Sequence, residues 1–346
     1  MENKDLYNQK NKKELLEILN QETFKRKTVS FYKYIKLNKL AKLRDKLFIE
    51  WSQLQILGRI YISEEGINAQ LSLPEYNWKL FLKKINQYNE FKDLKFKEAF
   101  KEGPSFYKLT IKIKKEIVAY KINKNEYDMN NRGTHLNYKE YNKAIDNGAI
   151  IVDIRNRYES EIGKFEGAIT PDIDRSEDLL PEIKKILNNN KKEKILMYCT
   201  GGIRCEKASA YLIHHGFKDV NQLQGGIVQY AHDVKRNKAK NKFIGKNFVF
   251  DHRLGENITD HIISYCNQCE ISCNNYTNCA NQSCHILFIQ CEKCHKIFGG
   301  CCSKECCEFN KLPKEKQKKL FKTGKFKFNA QKSKRLRPKL SEINNY

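Results

Sequence analysis

The sequence predicts a multidomain protein of mixed α/β and α+β class, and three observations carry that prediction. Across residues 28–113 the apolar periodicity switches in the order β-α-β-β-α-β. Further on, an apolar run at 195–198 stops on Cys199, a glycine pair and Arg204. Helical spacing of Ala208, Tyr211 and Leu212 follows, so the centre reads as an α/β domain with a buried parallel strand. Behind it, eleven of the 13 cysteines fall within 266–307, which marks a cysteine-rich, metal-binding module.

In chain order, residues 1–27 form a polar, helix-prone extension. A strand begins at Thr28, with Val29, Phe31, Tyr34 and Ile35 among Ser and Lys. A helix is expected over 38–54, where Leu40, Leu43, Leu47 and Leu54 share one side. Strands at 56–62 and 68–72 flank a turn at 63–67, and a second helix covers 75–85 behind Pro74. Strands near 94–100 and 107–113 close the set, whose order is the ferredoxin-like split βαβ arrangement. The expected boundaries are 28–122 for this domain, 123–136 for an Asn-rich linker and 137–235 for the α/β domain. The cysteine-rich module then takes 236–310 and a basic tail 311–346.

A chain of 346 residues is long enough for two or three domains and at least one well-buried core. Its net charge of +24, from 65 Lys and Arg against 41 Asp and Glu, points to a polyanionic partner. Part of that excess is compositional, because Lys and Asn are frequent throughout. The charged start has no apolar run fit for a signal peptide, and no stretch of about 18 apolar residues suggests a membrane span. A soluble, cytoplasmic protein is expected, with no membrane partner and no stable protein partner.

The loop after the central strand carries the chemistry. Gly201 and Gly202 can take positive φ, which lets the amides of Thr200, Gly201, Gly202 and Ile203 form a concave anion nest. Those amides, the following helix N-terminus and Arg204 all favour a thiolate at Cys199, the candidate nucleophile. An isolated cysteine at a strand end would read as a small hydrophobe, but an apolar core has no use for such a nest. Cys205, six positions on, is either a resolving thiol or a helix-packing residue.

Tyr198-Cys199-Thr200-Gly201-Gly202-Ile203-Arg204-Cys205 resembles the active loop of rhodanese domains, with the short Cys-x4-Arg spacing of the sulfur-handling members. Asp153, Arg155 and Glu159, leading to Gly163, Gly167 and Ala168, fit the same pattern, as does the Gly225-Gly226 turn. Ahead of that domain, Gly58-Arg59-Ile60-Tyr61-Ile62 running on to Glu65-Gly66-Ile67-Asn68, and Lys115-Glu116-Ile117-Val118, complete a combination. It resembles the bacterial rhodanese-domain tRNA uridine(34) hydroxylase family, with an acylphosphatase-like front. Ala69 stands where the family usually has glycine. The resemblance implies oxygen-dependent hydroxylation of carbon 5 of the wobble uridine, giving 5-hydroxyuridine. Dioxygen would be the co-substrate, the tRNA anticodon region the partner, and the loop cysteine required. From the residues alone, a thiolate can attack carbon 6 of uridine or carry a persulfide or sulfenate. A persulfide-carrying sulfurtransferase is the second reading, and a non-catalytic RNA-binding adaptor the third.

Candidate metal ligands are Cys266, Cys269, Cys273, Cys279, Cys284, Cys291, Cys294, Cys301, Cys302 and Cys306. Two Cys-x2-Cys knuckles within forty residues favour one or two structural zinc sites, with iron–sulfur ligation as the alternative. His285 and His295 lie close enough to replace a thiolate. For RNA, the candidates are Arg59 and Lys108 in the front domain and Lys332, Arg335 and Arg337 in the tail. The tail interleaves Phe321, Phe326 and Phe328 with cations and has no core of its own, so it is expected to order only on RNA.

Overall fold

A computed structural model of the chain describes residues 6–323, so Lys332, Arg335, Arg337, Phe326 and Phe328 lie outside the described residues. Helix α1 (Lys12–Asn20) starts on a capping box between Asn11 and Glu14. The front domain follows as β1 (Arg26–Tyr34), α2 (Leu40–Gln53), β2 (Leu57–Ser63), β3 (Gly66–Pro74), α3 (Trp78–Ile85), β4 (Lys97–Glu98) and β5 (Leu109–Ile113). Its sheet runs β4-β1-β3-β2-β5. The first four strands are the split βαβ order, and β5 adds to the edge parallel to β2.

Strand alternation divides this sheet into two unlike faces. Val29, Phe31, Ile60, Ile62, Ile67, Ala69 and Leu71 are buried with Trp51 of α2 and Phe81 of α3. Ala69 thus fills a core position, where a methyl group is welcome. The other face carries Ser30, Tyr32, Arg59, Tyr61, Asn68 and Gln70. The strand expected near 94–100 shrinks to two residues for a visible reason: beyond it, the N–H groups of Phe100 and Lys101 donate to the Glu256 carboxylate in the third part of the chain.

The central domain comprises β6 (Thr134–Leu136), α4 (Tyr138–Asp146), β7 (Ile150–Asp153), α5 (Arg157–Ser160), β8 (Gly163–Phe165), α6 (Ser176–Ile186), β9 (Lys194–Tyr198), α7 (Ile203–His214), β10 (Asp219–Leu223) and α8 (Gly226–Asn237). Its parallel sheet has the order β6-β10-β9-β7. The Asn-rich stretch read as a linker is not all connector, because Thr134–Leu136 pairs with β10 as an edge strand of this sheet. Just upstream, Val118 and Tyr120 pack into the core under β9.

The third part is β11 (Phe243–Asn247), β12 (Glu256–Asn257), β13 (Tyr276–Asn278), β14 (Leu287–Ile289), α9 (Glu292–Phe298), α10 (Lys304–Lys311) and α11 (Lys314–Lys322). Strand β11 pairs with β8, joining this module to the central domain. Helix α11 corrects the expectation of a structureless tail from residue 311 onward: Gln317 bonds the Asn310 and Leu312 carbonyls and seats its first turn. Among the described residues, no helix is long and apolar enough to cross a membrane.

Candidate active site

Strand β9 ends at Tyr198 and delivers Cys199 to the carboxyl edge of the parallel sheet. The turn into α7 needs a left-handed residue, and Gly202 supplies it at φ +95°. Gly201 does not take positive φ, so one glycine of the expected pair makes the turn. Gly226, at φ +69°, lies so close that a side chain would meet the Cys199 carbonyl at 2.5 Å. That approach lets Ile227 and Val228, at the start of α8, donate their N–H groups to the carbonyls of Cys199 and Thr200. Two helix N-termini therefore meet at this loop.

The Cys199 sulfur accepts the Gly202 N–H at 3.1 Å, and the N–H groups of Cys205 and Arg204 also turn toward it. Burial alone would raise this thiol. The hydrogen bond from the Cys205 thiol, the Arg204 guanidinium and those amides outweigh it and bring Cys199 down to about 6. Cys205 moves the opposite way, pushed up by burial and by keeping its own proton to donate to the Cys199 thiolate. The nest is thus made by Gly202, Arg204 and Cys205. Thr200, Gly201 and Ile203 instead line a cleft of about 350 Å³ beside the loop, while Cys199 itself is fully buried behind them.

Arg204 does not point a free charge into that cleft. Its guanidinium is clamped by Glu159 through two bonds of 2.5 and 2.7 Å, and it also reaches Thr200 Oγ1. Glu159 is held in turn from below. Asp153 and Arg155, both fully buried, pair at 2.6 Å, while Arg155 donates to the Gly163 carbonyl and Ser160 to Asp153. These bonds fix the short turn that carries Glu159.

Glu206 and Lys207 tie α7 to the front domain. Glu206 accepts from Tyr32 at 2.9 Å, His135 at 3.0 Å and Arg132 at 3.1 Å. Burial would raise its carboxyl, but His135, Tyr32 and Arg132 hold it below the usual carboxylate range. Lys207, fully buried, bonds both oxygens of Glu65 and one of Glu116 within 3.0 Å. Glu65 also accepts the Ile117 N–H. The Glu65-Gly66-Ile67-Asn68 hairpin is therefore anchored through Glu65 to the helix behind Cys199. Lys207→Met is expected to leave Glu65 and Glu116 facing each other unpaired and to cost about 3 kcal/mol, read as a lower melting temperature.

The polar face of the front sheet closes the cleft from the other side. Ser30, Tyr32, Arg59, Tyr61, Asn68, Gln70 and Lys97 line it together with Tyr158, Phe250 and the loop. Arg59 is exposed at its mouth. Lys108 is exposed one register step away and shares a second cleft with Arg59 against the cysteine-rich module. Arg59 and Lys108 thus lie on the same side of the front sheet, whereas the tail candidates are outside the described residues. Lys97, Glu206 and Lys207 carry no site signal in the sequence, since each reads there as an ordinary surface charge on an edge strand or a helix.

The cysteines sort into two groups that could each hold a metal ion. Cys266, Cys269, Cys291 and Cys294 form one, and Cys279, Cys284, Cys302 and Cys306 the other, every sulfur within 4.8 Å of its group. Cys273 and Cys301, expected as ligands, belong to neither, and nor do His285 and His295. Cys273 instead accepts the Asn275 N–H, and His295 bonds Gln290. The pairs alternate along the chain, so each site encloses a ligand pair of the other.

Family comparisons agree with this three-part organisation. Residues 26–117 match a UPF0176 acylphosphatase like domain, 137–233 a Rhodanese-like domain and 244–307 a domain described as Rhodanase C-terminal. A Leptospira interrogans protein named tRNA uridine(34) hydroxylase is 51% identical over 341 residues, covering 98% of this chain and 93% of its own length. Proteins of the same name from Photorhabdus laumondii and Yersinia pestis are 42% and 43% identical, each covering 90% of this chain and 90% and 89% of their own lengths. With that identity sustained from end to end, the chain belongs to the tRNA uridine(34) hydroxylase family.

Proposed function

We propose that this chain is an oxidoreductase that hydroxylates carbon 5 of the wobble uridine, uridine-34, in the anticodon region of tRNA, with Cys199 as nucleophile and dioxygen as co-substrate. The observation that carries the reading is the cleft itself: the loop that buries a thiol lowered to about 6 lines it, facing a wall of aromatic, amide and cationic side chains. Relatives bearing the hydroxylase name across nearly the whole chain support the same substrate. Arg204 positions the loop and favours the thiolate, Asp153 and Arg155 support the turn bearing Glu159, and Cys205 stabilises the thiolate and stands ready to resolve an oxidised sulfur. Such an enzyme works where tRNA is, in the cytoplasm.

The cysteine groups are structural zinc sites in this reading. Zinc–thiolate bonds of about 2.3 Å in a tetrahedron place sulfurs about 3.8 Å apart. Cys269–Cys291, Cys284–Cys302 and Cys302–Cys306 lie at 3.6, 3.8 and 3.6 Å. A sulfide-bridged iron cluster spreads its thiolates over several metal ions and asks for wider sets.

The test is nucleoside mass spectrometry of tRNA from cells lacking the gene and from the same cells complemented with it. Loss of 5-hydroxyuridine and its derivatives, restored on complementation, is the expected result. Unchanged 5-hydroxyuridine with loss of a thiolated nucleoside would replace this function with sulfur transfer.

A further inference from the structure

The wall opposite Cys199 is built in registered rows. Tyr32, Asn68 and Tyr61 stand side by side across β1, β3 and β2. In the next row stand Lys97, Ser30, Gln70 and Arg59, from β4, β1, β3 and β2. Three cations line the cleft. Arg204 is spent on Glu159, and Arg59 is out at the mouth. Lys97 lines the cleft with Thr200 and Gly201, and its ammonium lies 4.4 Å from the centre of the Tyr32 ring. Its Cε comes within 3.5 Å of the point where a Gly225 side chain would begin, beside the turn that holds the Cys199 carbonyl. Among the described residues the Lys97 ammonium makes no ion pair and no hydrogen bond. Cys199 and Glu206 pull on its charge and Lys95 on its own segment opposes it, Tyr32 packs against it, and Asp233 of α8 lines a neighbouring cleft with it. An ammonium with unspent donors, held by an aromatic ring beside a thiolate, lacks an acceptor that the substrate can supply.

We propose that Lys97 is a base-contacting residue of the Cys199 centre, its ammonium donating to the O4 carbonyl oxygen of the uracil ring brought to the loop. The proposal rests on the hydroxylase reading above. When the Cys199 thiolate adds to carbon 6, the S–C6 bond forms and the C5–C6 π bond breaks. The displaced pair spreads through C5 and C4 onto O4. No electron leaves the ring, and no oxidant is needed for this step. The developing oxyanion is where a preorganised cation lowers the barrier most. The resulting carbon 5 is electron-rich, which is what later attachment of oxygen at that carbon requires. Across the wall, Tyr32 and Tyr61 offer ring faces and Gln70 an amide to the same base.

The test uses the full chain and tRNA carrying 5-tritiated uridine, since hydroxylation at carbon 5 releases tritium to water. Lys97→Met is expected to lower kcat at least thirtyfold with KM for tRNA within threefold and the melting temperature unchanged, and Lys97→Arg to recover most of the rate. Burial lowers the Lys97 ammonium to about 8, against the pull of Cys199 and Glu206, so kcat should fall above pH 8 in the wild type. In Lys97→Arg that alkaline limb should move up. Equal release by wild type and Lys97→Met would overturn the lysine's role alone. A raised KM at unchanged kcat would also overturn it, making Lys97 a phosphate contact. No release by the wild type would overturn the hydroxylase reading, and the lysine's role with it.

Discussion

Replacing Cys302 with serine is expected to halve the metal content of the purified chain, from two zinc ions to one, and to melt the cysteine-rich module well below the rest of the protein. The module has little else to hold it. Its hairpin strands β13 and β14 are three residues each, and cysteines make up five of the seven residues in one of its buried clusters and four of the nine in the other. A structural zinc ion held by four thiolates contributes folding energy on the order of 10 kcal/mol in small domains, far above what such clusters gain from apolar burial. Because the ligand pairs alternate, opening the Cys279, Cys284, Cys302, Cys306 site also loosens the loop that brings Cys291 and Cys294 to the other site. Elemental mass spectrometry and thermal melting with and without chelator measure both effects. Cys273→Ser and Cys301→Ser are the controls, expected to keep two ions. A chelator-insensitive melt, or a visible iron–sulfur absorption band, would sink the assignment.

These controls also mark where the sequence stops being readable. The knuckle at Cys266 and Cys269 announces a metal site by spacing alone, because two thiolates three residues apart already share one ion. Nothing local says which second pair completes it, and Cys273 stands nearer in sequence than Cys291 does. Tertiary pairing decides that. The Cys199 loop is legible for the opposite reason: strand, nest and helix N-terminus are contiguous, so their chemistry is written in a dozen residues. Helix α7 shows the limit within one element. Its apolar side at Ala208, Tyr211 and Leu212 is plain, but Glu206 and Lys207 read as the solvated side. Both are buried, since another domain covers the face that periodicity assigns to water. Thr134–Leu136 fails to read as a strand for a related cause: it is an edge strand, short and held by pairing with β10 rather than by its own pattern.

Cys199→Ala is expected to abolish hydroxylation, a loss of roughly a thousandfold or more, with little change in folding because the lost sulfur leaves a small side chain in a small space. The pH dependence says why the sulfur works. With the thiol near 6, about nine-tenths of the wild-type sulfur is thiolate at pH 7, and activity should fall as pH drops through 6 while that anion is protonated. Cys205 is the sharper probe of the arrangement. Its thiol is the first hydrogen-bond donor opposing the burial of Cys199, so Cys205→Ala removes it and must raise the Cys199 thiol, moving the acid limb to higher pH. Cys205→Ser restores a donor but no second sulfur. If Cys205 serves only to hold the thiolate, the serine variant keeps both the acid limb and sustained turnover. If it also resolves an oxidised Cys199 through a disulfide, the serine variant keeps the limb but stalls after one round, with Cys199 trapped as a sulfenate visible by mass spectrometry. An acid limb unmoved in Cys205→Ala would show that the amides and Arg204 suffice, and the hydrogen bond between the two thiols would lose its place in the chemistry.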